Sequence, residues 1–241
     1  MLTYLISDLH LSPEHESGTA LFQQFMRREA MQAERLYVLG DLFEAWVGDD
    51  DDDPYVLDIT AQFRAFSDAG KALFFMRGNR DFLLGEQFTE CTGGALLADE
   101  VVVDMAGQPT LLLHGDQLCT DDTAYQQFRQ MVRQSAWQQA LLSKPLAERK
   151  AIATDMRRKS RESQQNKAEY IMDINQQTLE LTMRQHDVRQ VIHGHTHRPA
   201  RHHFSLDGQP ATRWVLGDWH ESAKILRVDS KIELIDIALN P

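Results

Sequence analysis

Five short motifs along the chain carry carboxylate, imidazole and amide side chains, which bind divalent metal ions in proteins. None of them contains a thiolate, and this mixture of oxygen and nitrogen donors suits Mn²⁺, Fe²⁺, Zn²⁺ or Co²⁺ better than Ca²⁺. We therefore expect a centre of two divalent ions, with Mn²⁺ as the expected metal. The motifs are Asp8-Leu-His10, Gly40-Asp41, Gly78-Asn79, His114-Gly-Asp116 and Gly194-His195-Thr-His197.

Asp41 is the expected bridge between the two ions. A carboxylate that bridges ions about 3.5–4 Å apart lets the pair activate a hydroxide and hold a phosphoryl oxygen. Taken singly, each motif residue has an ordinary structural explanation: an aspartate at a strand end often caps a helix, and Asn79 beside Gly78 is typical of a turn. Five motifs together are much harder to explain in this way, which favours a metal site.

The remaining histidines lie outside the motif spacing. We expect His193, next to Gly194, to be structural and five others to face solvent. Asp116 is expected to orient an imidazole rather than to bind a metal, as carboxylates beside metal ligands often do. The five histidines are His15, His186, His202, His203 and His220.

Apolar stretches that alternate with amphipathic ones must position these motifs. Such alternation in the first half predicts crossover units and a largely parallel sheet, in which ligand sites collect at the carboxyl ends of the strands. Later apolar runs predict a hairpin and further strands, so we expect an α/β fold: a four-layer α/β/β/α sandwich. The predicted strands are 2–7, 36–40, 71–76, 101–105, 110–114, 190–193, 211–216, 224–228 and 232–237, and the helical stretches are 19–33, 56–69 and 82–92.

The stretch from Leu118 to His186 contains no strand pattern. It is rich in Gln, Arg, Lys, Ala and Leu, which favour helices. Pro145 interrupts it, so at least two helices should precede a long one that follows Ala168. We therefore predict one domain, residues 1–241, with a helical lid inserted at about 118–168.

Composition and charge limit the classes of function. The chain has 241 residues, 42% of them hydrophobic and 25% charged, as in ordinary soluble domains. Its net charge of −11 argues against nucleic-acid binding, which requires a basic surface. Residues 144–167 nevertheless carry eight basic side chains against three acidic ones. Such a block is either a solvated helix face or a surface for an anionic ligand or lipid.

Other local features have simpler interpretations. The five aspartates at residues 49–53 are interpreted as a solvated loop. Cys91 and Cys119 are too few for a disulfide framework, so we expect both to be buried in a reducing cytoplasm. The amino terminus lacks the features of a secretory signal, and no apolar run approaches the roughly 20 residues of a membrane-spanning helix. Membrane contact should therefore be peripheral, and the chain is expected to be a monomer.

The order of the five motifs resembles that of the calcineurin-like metallophosphoesterases. The resemblance extends from Asp8 to His197. It implies two metal sites that share Asp41. One site would be formed by Asp8, His10, Asp41 and His197, and the other by Asp41, Asn79, His114 and His195.

Arg80 limits the kinds of phosphate ester that the predicted centre could cleave. Many members of this superfamily have His after the Gly-Asn pair, where it can protonate a departing alkoxide, but a guanidinium cannot donate a proton at neutral pH. A phosphate leaving group, with a second pKa of about 6, needs no proton and can be bound bidentately by arginine. Arg80 therefore favours cleavage of a diphosphate over that of a phosphomonoester.

Longer segments around the motifs are similar to the UDP-2,3-diacylglucosamine hydrolases. They include Leu39-Gly-Asp-Leu-Phe-Glu-Ala-Trp46, Gly78-Asn-Arg-Asp-Phe-Leu83 and Leu216-Gly-Asp-Trp219. This family forms UMP and 2,3-diacylglucosamine 1-phosphate, called lipid X, during lipid A biosynthesis at the cytoplasmic face of the inner membrane. The resemblance therefore implies a metal-dependent hydrolase of an acylated UDP-sugar, peripheral on that membrane, with a hydroxide activated between the two metals.

The resemblance also implies roles for individual residues. Asp41, Asn79, Arg80 and His195 would be catalytic. The insertion would be a lid over the acyl chains. Our own hypothesis is that Trp137, Leu141 and Leu142 contact those chains, and core packing between helices is the alternative for each of them. The head group would be held by Asn79, Arg80, Asp122, Ser160, Gln164, Lys167 and His195, with Tyr125 and Arg157 assisting.

Two positions depart from the family pattern. Arg77 stands where His is expected before the Gly-Asn pair, and Gln164 stands where Asn is usual, with Asn166 nearby. Neither is a predicted metal ligand. Two alternatives remain: another phosphoesterase of the superfamily, such as a nucleoside polyphosphate hydrolase or cyclic nucleotide phosphodiesterase, and a binding scaffold with a decayed metal site. Arg80 and the basic insertion disfavour the first, and seven competent ligand side chains disfavour the second.

Overall fold

Two β-sheets lie at the centre of the chain in the computed structural model, which describes residues 1–165 and 173–240, with only the backbone described for 163–165. The strands are β1 Thr3–Ile6, β2 Arg35–Leu39, β3 Ala72–Met76, β4 Ala95–Leu96, β5 Glu100–Met105, β6 Gln108–Leu113, β7 Gln190–His193, β8 Ala200–Leu206, β9 Gln209–Val215, β10 Ser222–Val228 and β11 Ile232–Ala238. The helices are α1 Glu16–Arg27, α2 Pro54–Asp68, α3 Glu86–Thr92, α4 Thr123–Val132, α5 Ser135–Leu142, α6 Leu146–Gln165 and α7 Gln176–Gln185.

The first sheet has the strand order β11-β10-β1-β2-β3-β4, and the second has the order β5-β6-β7-β9-β8. Strands β1 to β4 are parallel and are joined by α1, α2 and α3. In the second sheet β6, β7 and β9 are parallel, while β5 and β8 form antiparallel edges. The carboxyl ends of β1, β2 and β3 therefore meet at one edge of the first sheet, as crossover connections require.

Three apolar clusters separate the layers. One lies between the two sheets and joins Leu5 and Leu39 of the first sheet to Ile192 and Trp214 of the second. A larger cluster packs α1, α2 and α3 on the outer face of the first sheet, and the third packs α7 on the second sheet. The predicted four-layer α/β/β/α arrangement is thereby confirmed.

The predicted strands are present, but β4 and β8 were not predicted from the sequence. Strand β4 has only two residues, and β8 is an edge strand whose exposed and partly buried side chains alternate without a continuous apolar face. The first predicted helix starts earlier, at Glu16, and ends at Arg27. The third begins only at Glu86, because residues 82–84 form a buried turn before it.

The insertion contains α4, α5 and α6, and no strand occurs between 118 and 186 in the described part of that stretch. The expected position of the long helix was wrong. It is α6, and it begins at Leu146, directly after Pro145, rather than after Ala168. Proline is tolerated at a helix start because no backbone N–H is needed there, and the Pro145 carbonyl accepts hydrogen bonds from the Glu148 and Arg149 amides. The helix after the insertion, α7, has ten residues.

The acidic run at residues 49–53 is a loop as we expected, but only Asp50 and Asp52 are exposed, and several of the carboxylates have specific partners. Asp49 accepts hydrogen bonds from the Gly85 and Phe88 amides, and Asp50 binds Arg149, a buried residue of α6. Lys150 Nζ lies 2.7 Å from Asp51 Oδ1. The run therefore attaches α6 to the sandwich, because Asp50 and Asp51 contact residues of that helix about 100 positions later in the sequence.

The cysteine prediction holds for one residue of the two. Cys119 is buried, but Cys91 is exposed on α3, whose buried residues are Phe88 and Thr92. Neither forms a disulfide. The described helices include none with the length and apolarity needed to cross a bilayer.

Candidate metal centre and the cavity beside it

Five of the seven predicted metal ligands have a left-handed backbone, with φ of 55° at Asp8, 48° at His10, 54° at Asp41, 66° at His195 and 53° at His197. They follow the carboxyl ends of β1, β2 and β7. Residues other than glycine seldom adopt this conformation, and such strain concentrates at functional sites. The strand ends turn sharply here, and the turns direct the side chains toward one another.

Glycines of the motifs allow the loops to approach closely. A Cβ atom on Gly78 would lie 2.1 Å from Asp41 Oδ1, and one on Gly194 would lie 2.2 Å from Asp8 Oδ2. Gly40 has a φ of 88°, and its Cβ would lie 2.6 Å from His114 Nδ1. Any larger residue at these positions would displace a predicted ligand.

Asp8, His10 and His197 form one group whose ligand atoms all lie within 4.8 Å of one another. His10 Nε2 is 3.2 Å from His197 Nε2, and His197 Nε2 is 3.4 Å from Asp8 Oδ1. Asp8 Oδ1 is buried and has no well-oriented hydrogen-bond donor among the described residues. A divalent cation between these three side chains fits the arrangement, because it would satisfy the buried carboxylate and both imidazoles.

Asp8, Asp41 and His114 form the second group, also within 4.8 Å. Asn79 Oδ1 lies 3.0 Å from His114 Nε2 and 2.8 Å from His195 Nδ1. All seven predicted ligands are thus brought together. Asp41 lies between the groups, with Oδ1 3.6 Å from His114 Nε2 and Oδ2 3.9 Å from His10 Nε2, which is the position that a bridging carboxylate needs.

The protonation states at this centre reflect burial and the negative charge of its carboxylates. Burial, together with the neighbouring His114, lowers the pKa of His195 to about 4, so its ring is neutral and can offer a lone pair at pH 7. Burial alone would lower the pKa of His197, but Asp218 and Asp8 raise it to about 10. Burial would raise the pKa of Asp8, but contact with His197 and the nearby imidazoles keep it well below its usual value. Metal and proton therefore compete for the same negatively charged pocket.

Arg80 stands beside the ligands. Its amide donates a 2.8 Å hydrogen bond to Asp41 Oδ1, and its Nε lies 3.6 Å from Asp41 Oδ2. The guanidinium is only 11% exposed, and its buried Nε and Nη1 have no hydrogen-bond acceptor among the described residues. A buried guanidinium with unused donors fits an anionic ligand such as a phosphate.

The sequence analysis missed three residues that support the ligands. Asp81 accepts hydrogen bonds from the amides of Asp41, Leu42 and Gly78, and so ties two motif loops together. Burial and the nearby Asp41 raise its pKa to about 6. Asp218 Oδ2 lies 3.3 Å from His197 Nδ1, and Glu44 Oε2 lies 3.4 Å from His10 Nδ1. All three occur within segments that carried the family resemblance, which was the available signal.

Asp116 does not contact an imidazole as we predicted. His114 Nδ1 instead lies 2.8 Å from the Leu39 carbonyl oxygen, which orients that ring. Asp116 Oδ2 accepts hydrogen bonds from the Tyr125 hydroxyl at 2.6 Å and from Arg129 Nε at 2.9 Å. The Tyr125 ring stacks on His195 with a centroid separation of 5.9 Å. Asp116 thus positions Tyr125, whose ring packs against His195.

The other histidines are partly as predicted. His193 is fully buried and structural, and burial with the nearby Arg213 lowers its pKa to about 3. His203 and His220 are exposed as expected. The prediction was wrong for three that are partly buried. His15 Nε2 lies 2.6 Å from the Trp219 carbonyl oxygen, His186 Nε2 lies 2.7 Å from Glu100 Oε2, and His202 lies on β8.

A cavity of about 600 Å³, here called the lid cavity, opens from the ligands beneath α4 and α6. Its far wall is apolar and includes Phe82, Phe128, Leu141, Ile152 and Met156. The predicted head-group residues in its lining are Asn79, Arg80, Asp122, Tyr125, Arg157, Ser160 and His195.

Some predicted contacts of the lid are not found. Of the three predicted acyl-chain contacts, only Leu141 lines the lid cavity. Trp137 packs against Phe82 with a ring separation of 5.9 Å, and Leu142 is 41% exposed, so the prediction was wrong for both. The side chain of Gln164 and the whole of Lys167 lie outside the described residues.

Comparison with known proteins places this geometry in a family. Residues 1–199 match the calcineurin-like phosphoesterase family. The chain is 47% identical to a UDP-2,3-diacylglucosamine hydrolase from Edwardsiella ictaluri strain 93-146, across 100% of this chain and 94% of that protein. It is 48% identical to the enzyme of the same name from Serratia proteamaculans strain 568, across 98% of each chain.

A solved archaeal phosphodiesterase shares the fold, with a TM-score of 0.50 at 14% identity, and the match covers 99% of this chain and 100% of the other. The motifs, the two sheets and the near-complete match to the curated relatives agree with one another. This chain belongs to the calcineurin-like phosphoesterases and, within them, to the family of the UDP-2,3-diacylglucosamine hydrolases.

Proposed function

We propose that this chain is a metal-dependent hydrolase that cleaves the diphosphate of UDP-2,3-diacylglucosamine to UMP and 2,3-diacylglucosamine 1-phosphate. One observation carries the proposal: the lid cavity is lined at one end by predicted metal ligands and at the other by apolar side chains. The buried guanidinium of Arg80 lines the same cavity beside the ligand Asp41. The substrate named in the two curated relatives has both a diphosphate and acyl chains. The alternative activities, hydrolysis of nucleoside polyphosphates or of cyclic nucleotides, involve no acyl chain and would not explain the apolar wall.

Asp8, His10, Asp41 and His197 would hold one divalent ion, and Asp41, Asn79, His114 and His195 the other. Two such ions supply a nucleophile at neutral pH and neutralise charge on phosphoryl oxygens when they are bound. Mn²⁺ is our proposed metal, because the donors combine carboxylate, amide and imidazole without thiolate. The fit of the side chains to two cations makes a decayed binding scaffold the weaker alternative.

Arg80 would bind the diphosphate and hold the departing phosphate. Its unused donors lie beside Asp41, so an anion bound at the predicted bridge would be within reach of the guanidinium. Phosphate leaves as a stable anion at neutral pH and needs no proton from the protein. A positive charge that is already in place costs no reorganisation during the reaction.

Side chains between the ligands and the lid would hold the sugar. Asp122 and Ser160 can hydrogen-bond hydroxyl or amide groups, and Arg157 adds a cation at the same wall. Burial and Asp116 raise the pKa of Tyr125 well above its ordinary value, so its hydroxyl stays protonated and donates to Asp116. The apolar wall beyond these residues would cover the acyl chains, because removing them from water is favourable.

We also propose that the protein acts as a monomer, peripherally, at the cytoplasmic face of the inner membrane. The supporting feature is the basic surface of α6, where Arg158, Lys159 and Arg161 are exposed. Each of them also contacts an acidic side chain, which reduces its attraction for anionic lipid. Retention of the protein on anionic vesicles, lost at high salt, would test this proposal.

The test of the reaction offers the Mn²⁺-loaded protein two substrates, UDP-2,3-diacylglucosamine and the same UDP-sugar without acyl chains. We expect release of UMP from the acylated compound and little from the deacylated one. Equal turnover of both would contradict the role of the lid cavity. Absence of turnover with the acylated compound would contradict the proposed function.

A further inference from the structure

A second cavity, of about 950 Å³, reaches the predicted metal ligands from the other side of α6. The loop after β1, the loop after β2, the underside of α6 and residues 218–220 form its walls, and we call it the polar cavity. It touches the ligands at His10 and at Asp218, whose carboxylate contacts His197. The wall that separates it from the lid cavity is formed by Ala45, Val47, Ala153 and Arg157, which line both.

We propose that the polar cavity binds the nucleoside monophosphate half of the substrate while the lid cavity holds the acylated sugar phosphate. This inference rests on the proposed function, because a diphosphate at the metal centre joins two halves of opposite polarity. The two halves must leave the centre in different directions. Two cavities that meet at the ligands match this requirement.

The far wall of the lid cavity is a poor environment for a nucleotide. Phe128, Ile152 and Met156 stand on its far wall and offer no hydrogen bonds. A uracil and a ribose placed there would lose their hydration without replacement partners, at a large energetic cost. Acyl chains fit that wall and leave the nucleotide to be accommodated elsewhere.

The polar cavity carries more charged side chains than the lid cavity. Charged side chains of both signs surround it, among them Glu14, Glu44, Lys150, Arg157 and Arg161. Arginine and lysine suit a phosphate, and carboxylates accept hydrogen bonds from ribose hydroxyls. An acyl chain in this cavity would have to desolvate these charges, which disfavours it.

Arg157 and Arg161 stand where the two cavities approach the metal centre. Both donate to Glu44 Oε1, Arg157 Nε at 3.0 Å and Arg161 Nη2 at 3.3 Å. Arg161 is 67% exposed, so most of its guanidinium remains available to an anion in the polar cavity. The pair can therefore neutralise the nucleotide phosphate beside His10.

Two imidazoles at the edge of the polar cavity offer a surface for the base. His15 and His220 pack edge to face with centroids 5.3 Å apart. His15 is held by the Trp219 carbonyl oxygen at 2.6 Å, whereas His220 is 66% exposed. Aromatic side chains of this kind bind nucleobases by stacking on any base.

The test uses a tryptophan that fills the polar cavity from α6. Thr154 is exposed and lines the polar cavity. Ala151 lies one helical turn earlier and is also exposed, but among the described residues it is not part of the lining of either cavity. Thr154→Trp is compared with the matched control Ala151→Trp in the Mn²⁺-loaded full chain. Inhibition of hydrolysis is measured with each product, UMP and 2,3-diacylglucosamine 1-phosphate, and UMP binding is measured independently by calorimetry.

We expect Thr154→Trp to weaken UMP binding and UMP inhibition at least tenfold, while inhibition by the lipid product changes less than twofold. Ala151→Trp should match the wild type with both products. Unchanged UMP binding in Thr154→Trp, or equal weakening of both products, would overturn the assignment of the polar cavity. Failure of the wild type to hydrolyse the UDP-lipid would instead refute the proposed function, so the two failures are distinguishable.

Discussion

The Glu44 carboxylate joins a predicted metal ligand to the lid helix: its Oε2 lies 3.4 Å from His10 Nδ1, and its Oε1 accepts hydrogen bonds from Arg157 and Arg161 of α6. A carboxylate on the far nitrogen of a histidine ligand fixes the ring and increases its basicity. The position of α6 and the orientation of His10 are therefore linked through one side chain.

Glu44→Gln should lower metal affinity by about 10-fold or more, the range found when such supporting carboxylates are replaced. The amide keeps the size of the side chain but removes the negative charge that His10 and both arginines contact. Competition with a chelating dye measures the affinity. Glu90→Gln, an exposed change on α3, is the control, and equal affinities in the two variants would show that Glu44 does not position His10.

Asp41→Asn should abolish most activity and reduce the metal content of the purified protein below that of the wild type. Asp41 lies between both ligand groups, and a neutral amide cannot bridge two cations as a carboxylate does. Elemental analysis of the protein after dialysis measures the metal. The exposed change Asp68→Asn should retain both properties. Two tightly held metals together with near-normal turnover in Asp41→Asn would contradict the bridging role.

Arg80→Ala should lower turnover of the UDP-lipid by roughly two orders of magnitude or more, the usual cost of removing a charged donor that acts in the transition state. Metal content should stay intact, because Arg80 contacts Asp41 through its backbone amide, which the variant keeps.

Arg80→Lys should recover only part of the rate, since lysine keeps the charge but lacks the planar fork. Arg80→His should weaken the diphosphate reaction yet improve hydrolysis of esters with poor leaving groups, because imidazole can donate a proton. Wild-type turnover in Arg80→Ala would refute the leaving-group argument.

Arg149→Ala should destabilise the fold by about 1–3 kcal/mol, because it removes a buried guanidinium that bonds to Asp50 and to the Val47 carbonyl oxygen. Urea unfolding measures the difference. Arg158→Ala on the same helix removes only exposed ion pairs and should leave the stability nearly unchanged. Similar values for the two variants would contradict the proposed attachment of α6 by the acidic run.

The contact between Asp50 and Arg149 should also make the stability of the fold depend on pH in a defined direction. The hydrogen bonds with Arg149 lower the pKa of Asp50 below its ordinary value. A carboxylate with a lowered pKa in the folded state contributes stability that is fully present above its unfolded pKa of about 3.9 and is lost as the pH falls toward the folded value. The stability difference between wild type and Arg149→Ala should therefore be constant near neutral pH and shrink below about pH 4. A difference that grew on acidification would contradict this pairing.

The sequence by itself determined the seven predicted ligands and the order of the elements that carry them. Each motif directly follows an apolar strand, and parallel crossovers bring successive strand ends to one edge of a sheet, which groups residues such as Asp8, Asp41 and Asn79. The order of the motifs, through its resemblance to the calcineurin-like metallophosphoesterases, then predicted them as ligands. The glycines of the motifs were also informative, since only a residue without a side chain allows the loops to approach as they do at Gly78 and Gly194.

Only the tertiary structure decided how the lid attaches and which of its side chains face the cavity. Asp50 finds Arg149 at a separation of 99 residues, and Glu44 finds Arg157 at a separation of 113. Neighbouring apolar residues of α5 have different environments, since Leu141 lines the lid cavity and Leu142 is exposed. Periodicity reports only that one face of a helix is apolar, whereas the partner of that face depends on how distant segments pack together, which no local pattern of residues specifies.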